Sequence, residues 1–288
     1  MSAHRALRAA TIYLAALGLL VGFGGPILWM LSQSLKSMSE IINRPYDLWP
    51  ASLSLAAYAD ALRGGDYANI FLARDFLNTL LYAGISTVTN LVLGVPAGFA
   101  FARLRFPLRR VLFSLVVVSM MIPTAAIIIP LFMVVRVVAV GGGAAGWINT
   151  EQGLILPTAV TGLTIVLLRQ YFRAFPRELD EAAVIDGCGP YRTLLLITLP
   201  LSGPALASVA IGAFLIRWDD YMWPAVAAVT PDMFTLQVGL RFIETNYAQE
   251  WPLLMASCTL TALPIVLLYI ALQPLFDSGL AALGTGWE

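Results

Sequence analysis

Lysine occurs once in the 288 residues, at Lys36, and histidine once, at His4; the other basic residues are arginines. Charged residues make up only 12% of the chain, about half the ~25% usual in a soluble domain. Each scarcity excludes a class of chemistry. A nucleotide-phosphate loop needs Gly-Lys-Ser/Thr, because backbone amides and a lysine together neutralise the phosphates; Lys36 follows Leu35, so this chain is no P-loop ATPase. One histidine and two cysteines, Cys188 and Cys258, without metal spacing offer nothing to a zinc site or to Ser-His-Asp or Cys-His catalysis. Net charge is zero, so no basic surface advertises nucleic acid. No catalytic residue, metal ligand or cofactor is expected on this chain.

What abounds is apolar sequence, 59% of the residues. Uncharged runs cover Ala9 to Leu31, Phe76 to Ala102, Val111 to Val135, Gly153 to Leu168, Thr193 to Ile216 and Pro252 to Phe276, most of them near or above the ~20 residues that cross a bilayer as a helix. The first run follows Arg5 and Arg8 and lacks a small-residue cleavage site just beyond it, so it reads as a retained span. The expectation is an all-α polytopic membrane protein of about six transmembrane helices.

Arginines near span ends set the orientation. Arg5, Arg8, Arg103, Arg105, Arg109, Arg110, Arg169, Arg173, Arg177 and Arg192 all fall on one side of the six-span map, leaving seven basic residues elsewhere. Both termini are therefore expected in the cytoplasm, with Cys188 there and Cys258 inside a span, a placement that argues against a structural disulfide. The outer side holds Ser32 to Asp75, Gly141 to Thr150 with its flexible Gly141–Gly143 turn, and Ala228 to Glu250, unequal segments that suggest docking of an external partner. The expected division is 1–75 (N-terminal segment, first span, long outer segment), 76–276 (a five-helix core with a cytoplasmic loop at 173–200) and a cytoplasmic tail at 277–288. Prolines within the spans, such as Pro96, Pro123 and Pro264, are tolerated where neighbouring helices or a cavity re-satisfy the freed carbonyls, and serve either packing kinks or a moving pathway.

The cytoplasmic stretch ELDEAAVIDGCGPYRTLLLITLP, Glu178 to Pro200, places four acidic residues within nine positions of an otherwise oily chain. Pro176 suits a helix start, Glu178, Asp180 and Glu181 favour the positive end of the helix dipole, and Gly187 offers a left-handed stop, giving a helix of about eleven residues. Pro190 opens a second helix that Pro200 ends or kinks. On the first helix Leu179, Ala182, Ala183 and Asp186 are spaced to share a face, an acidic-rimmed knob with a small-residue tip. The same residues suit an interfacial helix that caps the bundle.

Near the outer end of the fifth span, Arg217-Trp218-Asp219-Asp220-Tyr221-Met222-Trp223 puts charges beside aromatic faces. Charges near a membrane interior face a cavity or a partner, and aromatics beside carboxylates suit sugar rings, so Trp218, Asp219, Asp220 and Tyr221 are candidates for the solute path. The alternative is an interfacial aromatic belt with Arg217 paired to Asp220. Asn78, Thr87, Asn90, Thr124 and Thr164 could line a passage or hydrogen-bond a neighbouring helix.

The spacing Glu181-Ala182-Ala183, Gly187, Ile197, Leu199-Pro200 resembles the EAA loop of bacterial ATP-binding-cassette importer permeases. Further stretches, LWPASLSLAAY, FLNT, FARLRFPLRR, MMIP with IIIPLF, RQYFRAFPRELDEAAVIDG and WDDYMWP, extend the resemblance over nearly the whole chain and narrow it to the carbohydrate branch, that of the maltose permease's smaller subunit. The resemblance implies a type I importer permease in the bacterial inner membrane, with ATP and Mg bound by a separate dimeric ATPase. It implies a second homologous permease, an extracytoplasmic solute-binding protein, membrane lipid and a carbohydrate substrate as partners. It makes Glu178, Leu179, Asp180, Glu181, Ala182, Ala183, Asp186, Gly187, Ile197, Leu199 and Pro200 the coupling surface for the ATPase. The chain departs from the family pattern at Asp219, where Asn is usual, and in its final residues. The rival is an ion-coupled secondary transporter, which would use relays among the spans, whereas membrane carboxylates here are confined to Asp219 and Asp220.

Overall fold

The computed structural model describes residues 2–64, 67, 69–137 and 146–284. These residues are helical or irregular, with no strand among them. The Gly141–Gly143 turn and the last four tail residues lie outside the described residues.

Backbone proximity divides the chain into two compact units, Met1–Ala73 with Gly239–Pro264 and Arg74–Val238 with Ile265–Glu288. In the first unit, α1 (Ser2–Ser34) leads into two short helices, α2 (Met38–Asn43) and α3 (Ala56–Arg63). No residue in the apolar window of α1 is buried, as expected of a helix solvated by hydrocarbon. Its C-terminal residues Ser32, Gln33, Ser34 and Lys36 are instead buried. Their polar atoms are satisfied by the outer segment: Ser32 donates to the Leu48 carbonyl, Lys36 to the Asp47 carbonyl, and Ser34 bonds the Tyr58 hydroxyl at 2.6 Å. The long outer segment is thus a hydrogen-bonded cap whose one lysine serves its backbone.

The second unit begins with α4 (Leu72–Arg103). Next come α5 (Arg109–Met121) and α6 (Thr124–Val137), bent 106° to each other. The break falls at Ile122, held extended (ψ 118°) because a residue preceding proline is excluded from the helical region. A second broken pair joins α7 (Glu151–Ile155), which ends in a tight turn through Pro157, to α8 (Gly162–Ala174) at 42°. Then come α9 (Arg177–Ile185), α10 (Pro190–Thr193), a π-helical stretch (Leu194–Thr198), α11 (Leu199–Leu201) and α12 (Gly203–Trp218), with an 83° bend before α12. The chain closes with α13 (Pro224–Ala227), α14 (Leu236–Asn246) and α15 (Trp251–Gly284).

Among the described residues three helices are individually long and apolar enough to cross a bilayer, and the number reaches six when each bent pair is taken as one span. The uncharged runs are where expected, but three of them are broken. The stretch expected as a tail from residue 277 starts as the last turns of α15, and Ala228 to Glu250, expected as an outer loop, contains α14.

α4 and α8 pack through a close approach. Gly94 and Gly98 stand four apart on α4 against α8; a Cβ on Gly98 would sit 2.8 Å from the Leu168 Cβ and 3.2 Å from the Arg169 nitrogen. Small residues at this spacing let helix backbones touch where no hydrophobic drive distinguishes side chains from lipid. Gly98→Val is expected to destabilise the protein by about 1–3 kcal/mol through overpacking against backbone, whereas Gly84→Val, which meets nothing within 4 Å, should be near neutral. Thermal unfolding of the two purified variants decides it, and equal midpoints would remove the close-packing argument.

Candidate functional site

The stretch from Arg177 to Pro200 is built onto the core of the second unit. Phe175, extended before Pro176, ends α8 and buries its ring with Tyr171, Phe172 and Leu168. The same cluster takes Val95 and Phe99 from α4, Ala205 and Val209 from α12, and Leu194 from the π-helical stretch, with Leu179 and Leu199 packed against it. Both ends of this loop are therefore anchored in one core shared by three spans. Arg103, in the last turn of α4, fixes the loop from the other side: one guanidinium nitrogen donates to the Phe175 carbonyl at 2.7 Å and the other pairs with Asp180 at 3.0 Å.

α9 has Pro176 before it and Glu178 and Asp180 in its first turn, as the sequence suggests. It is nine residues long and stops at Gly187, whose φ of 75° is left-handed. The Gly187 N–H bonds the Val184 carbonyl at 3.0 Å and the Cys188 N–H the Ala183 carbonyl at 2.8 Å, the paired closure that a left-handed glycine permits. Pro200 does not end the following helix. Lacking an N–H and crowding the carbonyl four residues before it, proline is accommodated by the wider π turn, in which the Leu199 N–H reaches back to Leu194, and the chain bends at Ser202 instead.

The expected knob face is corrected by burial. Leu179 and Ala183 point into the protein, Ala183 at 1% exposure, while Ala182 and Asp186 point out with Glu178 and Glu181. Helical spacing puts the four within one broad arc, but the core claims only the side bearing Leu179 and Ala183. The outward face includes Val184 and Ile185, 70% and 86% exposed, which the sequence reading passed over. Their signal was two adjacent apolar residues off the buried stripe of a short polar helix. Beyond the turn, Tyr191 is exposed, Ile197 and Leu199 are half-buried and Pro200 is exposed.

At the other end of α12 the Arg217–Trp223 cluster divides into an inward and an outward part. Asp220 accepts from the Tyr82 hydroxyl at 2.7 Å and pairs with Arg217 at 3.3 Å. Trp218 is 2% exposed and edge-on to Phe76 at 5.6 Å, and Trp223 donates from its indole to the Gly153 and Leu154 carbonyls at 3.2 and 3.1 Å. Asp219 and Tyr221 face outward. The Arg217–Asp220 pairing weighed from sequence is present, and Tyr82 on α4 is the partner that sequence did not reveal. Below it, Asn90, Thr161, Thr164, Ser208 and Arg217 help line a small cavity of about 70 Å³. Asn78 instead bonds the Asp232 and Phe234 carbonyls, and Thr87 bonds back to its own helix.

Removing Asp220 would orphan a buried hydroxyl and a guanidinium that is only 14% exposed, so Asp220→Ala should cost about 3 kcal/mol of stability while Tyr221→Ala costs little. Unfolding of the two variants side by side tests this; equal stability would make Asp220 no more structural than its exposed neighbour.

Residues 91–282 match the family described as binding-protein-dependent transport system inner membrane component. The chain belongs to that family. The sulfoquinovosyl glycerol transport system permease protein SmoH of Agrobacterium fabrum is 31% identical to this permease over 274 residues, covering 94% of this chain and 92% of its own. The sn-glycerol-3-phosphate transport system permease protein UgpE of Rhizobium meliloti is 32% identical over 259 residues (88% and 89%). The arabinooligosaccharides transport system permease protein AraQ of Bacillus subtilis is 30% identical over 278 residues (96% and 94%). A crystal structure of a bacterial ABC transporter involved in the import of the acidic polysaccharide alginate contains a chain that superposes with a TM-score of 0.78 at 22% identity, over 95% of this chain and 98% of that one. The fold is that of an ABC importer permease, and the permease is a multi-pass inner-membrane protein.

Proposed function

We propose that this permease is a translocating subunit of an ATP-driven importer for a carbohydrate or carbohydrate-like solute, and that it carries no covalent chemistry. ATP and Mg would bind a separate ATPase dimer, a second homologous permease would complete the pathway, and an extracytoplasmic solute-binding protein would deliver the solute to the outer segments. The names of the relatives, a sulfoquinovosyl glycerol, a glycerol phosphate and an arabinooligosaccharide system, support the solute class. Family membership favours this over the ion-coupled reading.

The observation that carries the coupling role is the two-sided construction of α9: its inner side is tied to α4, α8 and α12, and its outer side, Glu178, Glu181, Ala182, Val184, Ile185 and Asp186, is open. A push on that outer side would pass to three spans at once. Leu179, Asp180 and Ala183 seat the helix, Gly187 sets its end, and Ile197, Leu199 and Pro200 connect it to α12. On the outer side Asp219 and Tyr221 are the groups available to a solute, with Trp218 and Asp220 holding them in place.

Purification of the tagged permease from its native membrane in mild detergent, with identification of copurifying chains and an ATPase assay, tests the assembly. A P-loop ATPase and a second permease should be recovered with hydrolytic activity. Glu181→Lys and Gly187→Pro should insert normally yet lose ATP-dependent uptake. Recovery of the chain alone, or normal uptake by both variants, would overturn the assignment.

A further inference from the structure

Beside the first turns of α9 lies a cavity of about 810 Å³ within the second unit, walled by the C-terminal ends of α4 and α8 and the first residues of α5 and α9. Seven guanidinium groups line it, against the carboxylates of Asp180 and Glu181 alone. Three are engaged: Arg103 with Asp180, Arg109 with the Phe101, Ala102 and Leu104 carbonyls, and Arg169 with the Phe101 carbonyl while stacking on Phe113 at 3.8 Å. Arg105, Arg110, Arg173 and Arg177 have no ion-pair partner among the described residues.

Charge of one sign gathered this densely repels itself, and two helix starts add to it. Arg109 and Arg110 open α5, and Arg177 opens α9, so cations sit at positive dipole ends where anions are favoured. Such a site is stabilised by an anion with several acceptor oxygens, for which planar guanidinium forks are matched. The cavity lies at the arginine-rich ends of α4 and α8, the ends that arginine placement assigns to the cytoplasmic membrane surface. Immediately along α5, Val111, Leu112 and Leu115 are 55%, 43% and 59% exposed, and Leu108 beside them 69%. Leu108 and Val111 line a neighbouring hollow together with Arg105, Arg109 and Arg110, and arginines that border both a cavity and exposed apolar surface match an amphiphile with an anionic head.

We propose that this cavity seats the phosphate headgroup of an anionic membrane phospholipid of the cytoplasmic leaflet, with its acyl chains along α5. The bound headgroup would neutralise the arginines and, held by Arg173 and Arg177, brace the start of α9 against the membrane. The four arginines without ion-pair partners would bind it, while Arg103 and Arg109 hold the walls.

The test titrates the permease in its assembled complex, stripped of native lipid in detergent, with phosphatidylglycerol or phosphatidylcholine and reads bound lipid by native mass spectrometry. The wild type should prefer phosphatidylglycerol by roughly tenfold or more. The triple variant Arg105→Gln, Arg110→Gln, Arg173→Gln should lose that preference, and the corresponding Lys triple should keep most of it. Should the Gln triple fail to assemble, the single Arg110→Gln, expected to lose a fraction of the preference, carries the comparison. Equal binding of the two lipids overturns the proposal. So does a preference unchanged in the Gln variants, or inorganic phosphate bound at the arginines with no lipid selectivity, which would mark a free-anion site. A phosphatidylglycerol preference in the isolated chain that vanishes in the complex would assign the cavity to an acidic partner surface and equally overturn it.

Discussion

Ile185→Asp should abolish ATP-dependent solute uptake while leaving the permease folded and in the membrane. Ile185 is 86% exposed and Val184 70%, so a carboxylate at either position meets water in the isolated chain and costs its stability almost nothing. In the assembled importer the same face of α9 would be covered by the ATPase. Burying an unpaired carboxylate there, in place of an apolar contact, costs about 3 kcal/mol, on the order of a hundredfold in association. Glu178, Glu181 and Asp186 already border the patch, so the added charge is also repelled by like neighbours. Ile185→Leu should behave as wild type, because it keeps the apolar volume. The measurements are copurification of the ATPase and uptake into energised vesicles, with thermal unfolding as the folding control. Normal uptake by Ile185→Asp together with Val184→Asp would move the coupling surface away from this face.

Arg103→Ala should have a different signature: ATP hydrolysis retained but no longer dependent on solute. Arg103 is largely buried, and its two contacts lie on either side of Pro176, one at the end of α8 and one in the first turn of α9. Truncation strands the Phe175 carbonyl and the Asp180 carboxylate, at a cost of about 2–3 kcal/mol, discounted from a fully buried pair because Asp180 keeps 34% of its side-chain exposure. That cost falls on the seating of α9. The Phe99, Phe172 and Val209 packing is untouched, so the fold should survive while the joint loosens. Arg103→Lys should recover part of the coupling, since an ammonium can meet Asp180 but cannot fork to both partners. ATPase rates with and without solute, in proteoliposomes, give the answer. Solute-dependent hydrolysis in Arg103→Ala equal to wild type would show that the loop is held by its apolar contacts alone.

Burial on one side of α9 separates these two expectations, and sequence periodicity does not supply it. Spacing of three and four residues shows which side chains are neighbours on a helix; it does not show which arc faces the core when the helix is short and mostly polar. Leu179 could be assigned inward from its chemistry, but Val184 and Ile185, equally apolar, could not be assigned outward without knowing that the core ends at Ala183. Arg103 and Asp180 are 77 positions apart, as Tyr82 and Asp220 are 138 apart, and no local pattern couples such pairs.

Much else was legible. The uncharged runs coincide with the three long apolar helices and the three bent pairs, because removing a charge from water is expensive enough to mark a span by composition alone. Gly187 was readable as a helix stop because only a residue without a Cβ adopts the left-handed conformation freely. Pro123, read as a kink within a span, marks a full break at Ile122, whereas Pro200 is absorbed by a π turn and the chain bends at Ser202 instead. The size of each bend, 106° at Ile122 and 83° before α12, was set elsewhere, by which neighbouring helices accept the freed carbonyls and fill the space. Composition and local backbone chemistry act within a few residues, so the sequence by itself determined the membrane class, the orientation signal, the glycine stop of α9 and the recognisable loop. The tertiary structure alone decided which face of that loop is free, which arginines converge behind it and which side chains of the outer cluster are spent on packing, because those outcomes depend on residues brought together from distant parts of the chain.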